Sequence, residues 1–531
     1  MKHSFILLIT IFLIAGCKKA ADTNIPARLV PDINDLSMTE NMQKIYSERQ
    51  EKLMGQIEKG VVVLRSDCDF DGGRHEYRAA NNFHYLTGFT EPGSIVVLTR
   101  DSKYPYILYI KERTAKEAIY NGEIPAIDSI MLTYRPDTVI LYQELEKIVK
   151  DNIQTGTPVY IDFEDSYLRE NISNTIAKSL ASVGFIKNMA PLIDEMRVIK
   201  DESEIARIQN AVDITGEALI NAYSICRPGL YEFEIEAMIE YTFRRFGSSM
   251  PSFSSIIASG PNATTLHYEM NTRKMEDGDL LLIDIGAEYG YYSADVSRTV
   301  PVNGQYTREQ KDIYELVLKA QKAAISEMKQ GNFLVAGQNK CNEIIVQGLH
   351  DLGLITDLES NWQKEFYILY PINHYLGMYV HDVGDYGAPD EVYYETMAKD
   401  TVFGRILEKG MVLTVEPGLY FRSDGLSQLF EIYGEEVANE EIQDFIDKVS
   451  PVYEKYKNIG VRIEDDVLIT DEGNVVLSAN IPRETDEIEG MMCKRVSYLY
   501  RTATTTYPCF LPDLGEFSRS WPYKTYPAAK L

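Results

Sequence analysis

The sequence predicts two units in series, an α/β domain followed by an α+β domain. Three observations lead there. The chain has 531 residues, too many for one ordinary core. From about residue 39 to 195, strand-like runs alternate with helical ones. Beyond that point helices stand beside hairpins without regular βαβ alternation. The predicted boundaries are 1–16 for a leader, 17–38 for a polar tether, 39–195 and 196–490 for the two domains, and 491–531 for a tail.

In the first domain Val61–Leu64, Ser94–Leu98 and Tyr106–Ile110 read as strands, and Met42–Ile57 and Tyr142–Asn152 as helices. The second domain opens at "MRVIKDESEIARIQNAVDITGEALINA", where Asp201 and Glu204 have the spacing of a capping box. Apolar or small residues then recur at Ile205, Ile208, Val212, Thr215, Leu219 and Ala222, one helical stripe. Further helices are expected over Tyr231–Phe246, bounded by Gly229 and Gly247, and from about Arg308 to Lys329. Strands are expected at 280–287, 291–300, 411–416 and 461–469. No short-period repeat is present. The tail is rich in proline and aromatics and has no periodicity.

Composition is globular, with 45% hydrophobic and 25% charged residues, and the formal charge of −27 argues against nucleic acid as a partner. The start, "MKHSFILLITIFLIAGCKKA", has a charged first turn and an apolar run from Phe5 to Ala15. That run is short for a bilayer span and reads as a secretory signal. Leu13-Ile14-Ala15-Gly16-Cys17 resembles the bacterial lipoprotein signal, which implies lipidation of Cys17 and anchoring to a membrane by lipid alone. The expected location is the cell envelope, facing the periplasm, on the outer rather than the inner membrane. The other cysteines are Cys68, Cys226, Cys341, Cys493 and Cys509. Their odd number and wide spacing suit neither a disulfide framework nor a zinc site, and a Cys493–Cys509 loop stays open.

"GDLLLIDIGAEYGYYSADVSRT" places Asp284 and Asp295 eleven residues apart in an apolar segment. With a turn at Tyr289-Gly290, Glu288 falls opposite Tyr291 and Asp284 opposite Asp295. Directly opposed side chains share a face about 5 Å apart, where like charges repel. Leu281, Ile283 and Ile285 take the other face. A divalent cation between the acids reverses the sign of that interaction. Three other places supply partners. "MVLTVEPGLY" is an apolar strand ending on Glu416, "GVRIEDDVLIT" sets Arg462 and Glu464 on one face, and "INHYLGMYVHDVG" contributes His374 and His381. Oxygen ligands with an imidazole and no thiolate suit Mn²⁺, Fe²⁺, Co²⁺ or Zn²⁺.

Asp284, Asp295, His374, Glu416 and Glu464, in this order, resemble the five metal ligands of the pita-bread metallopeptidases. The strings "DIGAEYGYYSADVSRT", "HYLGMYVHDVG", "TVEPGLY" and "RIEDDVLIT" carry the likeness. It points to the Xaa-Pro aminopeptidase (aminopeptidase P) branch, and "YRAANNFHYLTGFTEPGSIVVL" (77–98) is similar to that branch's N-terminal domain. The resemblance spans roughly residues 39–492. It implies a creatinase/aminopeptidase P-like N-terminal α/β domain, an α+β pita-bread catalytic domain, and a homo-oligomer, dimer or tetramer. It also implies two divalent metals, manganese first and zinc, cobalt or iron as alternatives. Asp295 and Glu464 would bridge them, with Asp284 on one side and His374 and Glu416 on the other. His267 in "TTLHYEM" matches an active-site histidine, and His381 and Arg462 match positions behind the metals or against substrate. His75, His84 and His350 match nothing and read as structural or solvated.

The implied reaction removes the N-terminal residue from peptides with proline second, by a hydroxide shared between the metals. His267 and His381 would stabilise the oxyanion, and Glu416 would pass a proton to the leaving nitrogen. One departure stands out: Tyr370 occupies the position, four residues before the His ligand, where the family often has histidine. That bears on proline selectivity. Segments 385–400 and 421–458 look longer than the family's connections and could reshape access to the cleft. An Xaa-Pro dipeptidase and a non-catalytic peptide-binding envelope protein are the alternative readings.

Overall fold

A computed structural model of the chain describes residues 38–66, 77–100, 102–153, 156–163, 165, 169–170, 172, 186–387 and 404–492. The expected leader, Cys17 and its tether, His75, Cys68, Cys493, Cys509, the tail from 493 and most of the 385–400 segment lie outside these residues.

The first domain is built on a six-stranded mixed sheet in the order β4-β3-β2-β1-β5-β6. Its strands are β1 Val61–Arg65, β2 Ile95–Thr99, β3 Tyr106–Lys111, β4 Thr138–Tyr142, β5 Val159–Ile161 and β6 Ile186–Asn188. Strand β1 runs antiparallel to β2 and parallel to β5. Its period of two splits its side chains between two cores: Val62 and Leu64 join the large core shared with the second domain, Val61 and Val63 a smaller one. The helix Glu40–Gln56 starts where Thr39 Oγ1 accepts from Met42 N at 3.2 Å. The run expected as one helix over Tyr142–Asn152 divides. Tyr142 ends β4, paired with Lys111 of β3, and the helix spans Leu145–Asn152. Pairing along the open edge of β3 outweighed helical periodicity.

In the second domain the helix Glu202–Ile225 has the expected capping box, Asp201 accepting from Glu204 N and Glu204 accepting from Asp201 N. Its stripe Ile208, Val212, Thr215, Leu219 and Ala222 is buried. Helices Glu232–Arg245 and Arg308–Glu327 follow within a few residues of expectation. The strands are β7 Ile256–Ser259, β8 Leu280–Ile285, β9 Glu288–Tyr289, β10 Tyr292–Ser293, β11 Val296–Pro301, β12 Val412–Val415, β13 Gly418–Tyr420, β14 Gly460–Arg462, β15 Asp465–Thr470 and β16 Gly473–Val476. They form small sheets, β11-β8-β7, β12-β15-β16 and the pairs β9-β10 and β13-β14. The extra length at 421–458 folds as two helices, Gly425–Tyr433 and Asn439–Tyr456. Cys226 and Cys341 are free thiols.

The acidic hairpin corrects the expected register. Tyr289 pairs with Tyr292 and Glu288 with Ser293, so the turn is Gly290-Tyr291, both at positive φ (56° and 75°). Asp284 consequently pairs with Ser297, not with Asp295. The turn moved because glycine takes the first left-handed position of a primed turn, which tyrosine fills poorly. Moving the turn by one residue shifts the pairing by two, and a shift of two keeps every side chain on its face. The acids therefore still share one face, and Leu281, Ile283 and Ile285 still enter the large core from the other.

Between the two pairings the ladder is interrupted, and Asp295 sits in the gap, its N–H donating to Asp466 Oδ2 at 3.1 Å. Gly286 makes this gap possible, since a Cβ there would lie 1.8 Å from the Ala294 carbonyl oxygen. Gly286→Ala is expected to lower stability by more than about 2 kcal/mol, read as an unfolding midpoint in urea; a wild-type midpoint would show that the gap is not needed.

Candidate metal centre

Four strand ends deliver the acidic cluster. Asp284 is the penultimate residue of β8, and Asp295 occupies the gap before β11. The segment carrying His374 lies extended along β12, with Thr414 N donating to His374 O at 3.0 Å and Glu416 N to Ile372 O at 2.9 Å. That pairing brings His374 beside Glu416, the residue that follows β12. The strand expected over 461–469 breaks after Arg462, and Glu464 N donates to Ser297 O at 3.1 Å. The break turns Glu464 toward the hairpin.

The ligand atoms of Asp295, His374 and Glu464 converge within 4.8 Å of one another. His374 Nε2 lies 3.3 Å from Asp295, 3.4 Å from Glu416 and 3.9 Å from Glu464. His374 Nδ1 is 3.1 Å from the Tyr375 carbonyl; its N–H donates there, leaving the Nε2 lone pair facing the acids. Asp284, Asp295 and Glu464 are all buried, and Asp284 Oδ1, Asp295 Oδ1 and Glu464 Oε1 have no hydrogen-bond partner. Orphaned carboxylate oxygens are costly in a protein interior. Burial, then the charge of Asp284, pushes the Asp295 carboxyl well above its ordinary range. Burial, then Asp295, does the same to Glu464. Burial raises Glu416 to about 7 against the opposing pull of His374. Three orphaned oxygens, a fourth acid and a correctly tautomerised imidazole make a donor set that fits divalent cations.

Arg462 is buried behind this cluster rather than at its open side. Nη2 is 2.5 Å from Asp284 Oδ2, Nε donates to Ser297 Oγ at 3.0 Å, and Nη1 to Tyr420 OH at 2.9 Å. Ser297 Oγ donates to Glu464 Oε2 at 2.9 Å. Tyr370 OH donates to the Glu416 carbonyl at 3.0 Å and lies 2.9 Å from Tyr420 OH. Tyr370, Tyr420, Arg462 and Ser297 thus form one hydrogen-bonded line touching Asp284, Glu416 and Glu464. Ser297 and Tyr420 were not picked out from sequence, although Ser297 follows Asp295 at a spacing of two.

His267 and His381 are exposed. The His381 ring lies 4.2 Å from that of His374, and desolvation, then the neighbouring His374 and His267, pushes it down to about 4. Its loop is anchored from below. Asp382, buried, pairs with Arg197 and, at 3.4 Å, with Lys200, while its N–H donates to Tyr375 O at 2.8 Å. Arg197 Nη1 also donates to Asn82 Oδ1 of the first domain at 2.8 Å. "HDVG" gave no sign that its aspartate was a structural anchor.

The geometry defines a class, a peptidase-like pita-bread core with a buried acidic centre whose donors fit divalent cations, and the comparisons agree. A model of metallopeptidase family M24 matches residues 206–471, and one described as aminopeptidase P, N-terminal domain, matches 46–160. The chain belongs to metallopeptidase family M24, in its aminopeptidase P branch. It is 33% identical over 462 residues to the Xaa-Pro aminopeptidase of Haemophilus influenzae, covering 84% of this chain and 96% of that one. The structure of Pseudomonas aeruginosa aminopeptidase PepP matches with a TM-score of 0.73 at 30% identity, covering 86% of this chain and 99% of that one. A zinc-substituted Escherichia coli aminopeptidase P in complex with product matches at the same TM-score of 0.73 and 30% identity, over 85% and 98%.

A pH test follows from the raised carboxyls. Burial pushes the Glu416 carboxyl up to about 7 in the fold, against an ordinary value of 4.5. Between those values the folded state holds more protons, so stability falls as pH rises through that window. Chelated Glu416→Gln should show a shallower fall from pH 4.5 to 7 than chelated wild type, measured by urea unfolding. Parallel profiles would remove the strain assigned to Glu416.

Proposed function

We propose that this chain is a metal-dependent Xaa-Pro aminopeptidase that releases the N-terminal residue from peptides with proline second. The convergence of Asp295, Glu416 and Glu464 on His374 Nε2, with Asp284 beside Asp295 and three carboxylate oxygens unpartnered, carries this reading. The cations would be held by Asp284, Asp295, His374, Glu416 and Glu464, with manganese the first expectation. Bound there, they would acidify a shared water and polarise the scissile carbonyl.

The chain's own groups do the rest. Arg462 and Ser297 fix the orientation of Asp284 and Glu464, a supporting role that tunes ligand basicity. His267 and His381, at the open side, are placed to donate to the oxyanion as the carbonyl becomes tetrahedral. Glu416, half-buried where the others are buried, is the carboxylate that passes a proton to the leaving nitrogen. An Xaa-Pro amide has no N–H, so a site that does not depend on that donor accepts it. The first domain favours the aminopeptidase over a dipeptidase. The resemblance also supports a homo-oligomer, and the leader supports a lipid anchor at Cys17 facing the periplasm. A mature protein whose N-terminus lacks acyl mass would remove that anchor.

Asp295→Asn is expected to cut kcat/KM by more than about a hundredfold while the circular dichroism spectrum is kept; wild-type turnover would refute a bridging ligand. An Xaa-Pro-Xaa tripeptide should be cleaved in preference to the Xaa-Pro dipeptide, and the reverse order would favour the dipeptidase. Tyr370→His should raise the preference for proline over alanine at the second position. An unchanged ratio would take Tyr370 out of specificity.

A further inference from the structure

A second cavity opens at the tip of the acidic hairpin, between the two domains, away from the metal ligands. Its volume is about 290 Å³, and its walls include Met42, Tyr46, His84, Tyr134, Arg207 and Tyr291. Ligand sites favour such positions between domains, and this one is at the small end of their range, roughly 300 Å³.

Its charge is unbalanced. Arg207 is half-buried; its Nη2 donates to Met42 Sδ at 3.7 Å, and among the described residues no carboxylate lies within ion-pair distance of it. The neighbouring cations are accounted for. Arg49 is paired with Asp201 at 2.7 Å and Glu204 at 3.0 Å, and Arg78 with Glu288 at 2.7 Å. The second oxygen of Glu288 accepts from Ser249 Oγ at 2.9 Å, so the one acid on the wall is fully engaged. Burial, then Arg207, pushes the His84 imidazole well below its ordinary range, which keeps it neutral.

Another part of the wall is built at a cost. Tyr291 holds a φ of 75°, a conformation unfavourable for a residue with a side chain. It is fixed there from three directions. His84 stacks on it at 3.6 Å and 9°, Arg78 lies over its ring at 4.6 Å, and its OH accepts from Ala79 N at 3.0 Å. The cavity thus combines a held aromatic ring with a guanidinium that lies 5.7 Å from the Tyr292 ring centroid and has no carboxylate partner among the described residues.

We propose that this cavity binds a small monocarboxylate with an aromatic or branched apolar body. The planar carboxylate meets the fork of Arg207, and the apolar body lies against the tyrosines and Met42. One free cation matches one negative charge, which favours a carboxylate over a phosphate dianion. At a share of about 30 Å³ per water-sized group, roughly ten heavy atoms fit.

The test is calorimetric titration of intact, metal-loaded protein with 3-phenylpropionate, its neutral amide and acetate. Saturable binding of 3-phenylpropionate is expected, at least tenfold tighter than the amide or acetate. Arg207→Met should weaken it at least tenfold, and Thr90→Trp, which places bulk at the exposed rim, should weaken it similarly with Arg207 intact. Both variants should keep kcat/KM for an Xaa-Pro peptide within twofold, which also reports that they are folded. Absence of binding to wild type would overturn the proposal. So would wild-type affinity retained in either variant, which would put the probe outside this cavity.

Discussion

Mutual repulsion among buried carboxylates is the constraint around which the second domain is arranged. Asp284, Asp295 and Glu464 are removed from water at the ends of different strands, with Glu416 beside His374. Burial first, then the charges of neighbouring acids, raise Asp295, Glu416 and Glu464 toward the protonated form. No amount of apolar packing offsets that term, because it grows as the surroundings lose water. Cations held among the acids would reverse the sign of that interaction.

The run Glu464-Asp465-Asp466 shows the difference between an acid the protein satisfies itself and acids it leaves open. Asp465 is fully buried, yet accepts from Arg298 at 2.8 Å, Gln321 at 2.9 Å, Ser478 at 2.6 Å and Arg483 at 2.5 Å. Against the upward push of burial, Arg298 and Arg483 hold it below the ordinary range. Glu464 on one side and Asp466 on the other are raised, burial being the first cause in each. Asp466 uses one oxygen to hold Asp295 N in the ladder gap. Three adjacent acids thus serve as an open donor, an anchor and a strut, distinguished by their partners alone. The first domain adds its own grip through Asn82 on Arg197, which holds Asp382 under the His381 loop.

Much of this was legible in the sequence because it rests on short-range rules. The capping box at Asp201, the stripe of the following helix and the even face of the hairpin all follow from periodicity and spacing. The hairpin register was misplaced by two residues, since turn chemistry at Gly290-Tyr291 decides it, yet the error was harmless to the face the acids share. The division of Tyr142–Asn152 into strand end and helix depended on β3 being open on that edge, a long-range fact. The strand pattern marks Arg462, but its place behind Asp284 is set by the break before Glu464, which that pattern does not carry. Ser297, Tyr420, Asp382 and Arg197 act through partners far off in the chain, and single-sequence patterns carry no mark of such pairs.

The most direct test of the central claim is a titration of chelated protein with manganese, followed by calorimetry and elemental analysis after desalting. The account predicts close to two equivalents of tightly held metal per chain, with uptake releasing protons from the raised carboxyls. A protein that retains no manganese, zinc or cobalt at stoichiometric levels, and releases no protons, would contradict it.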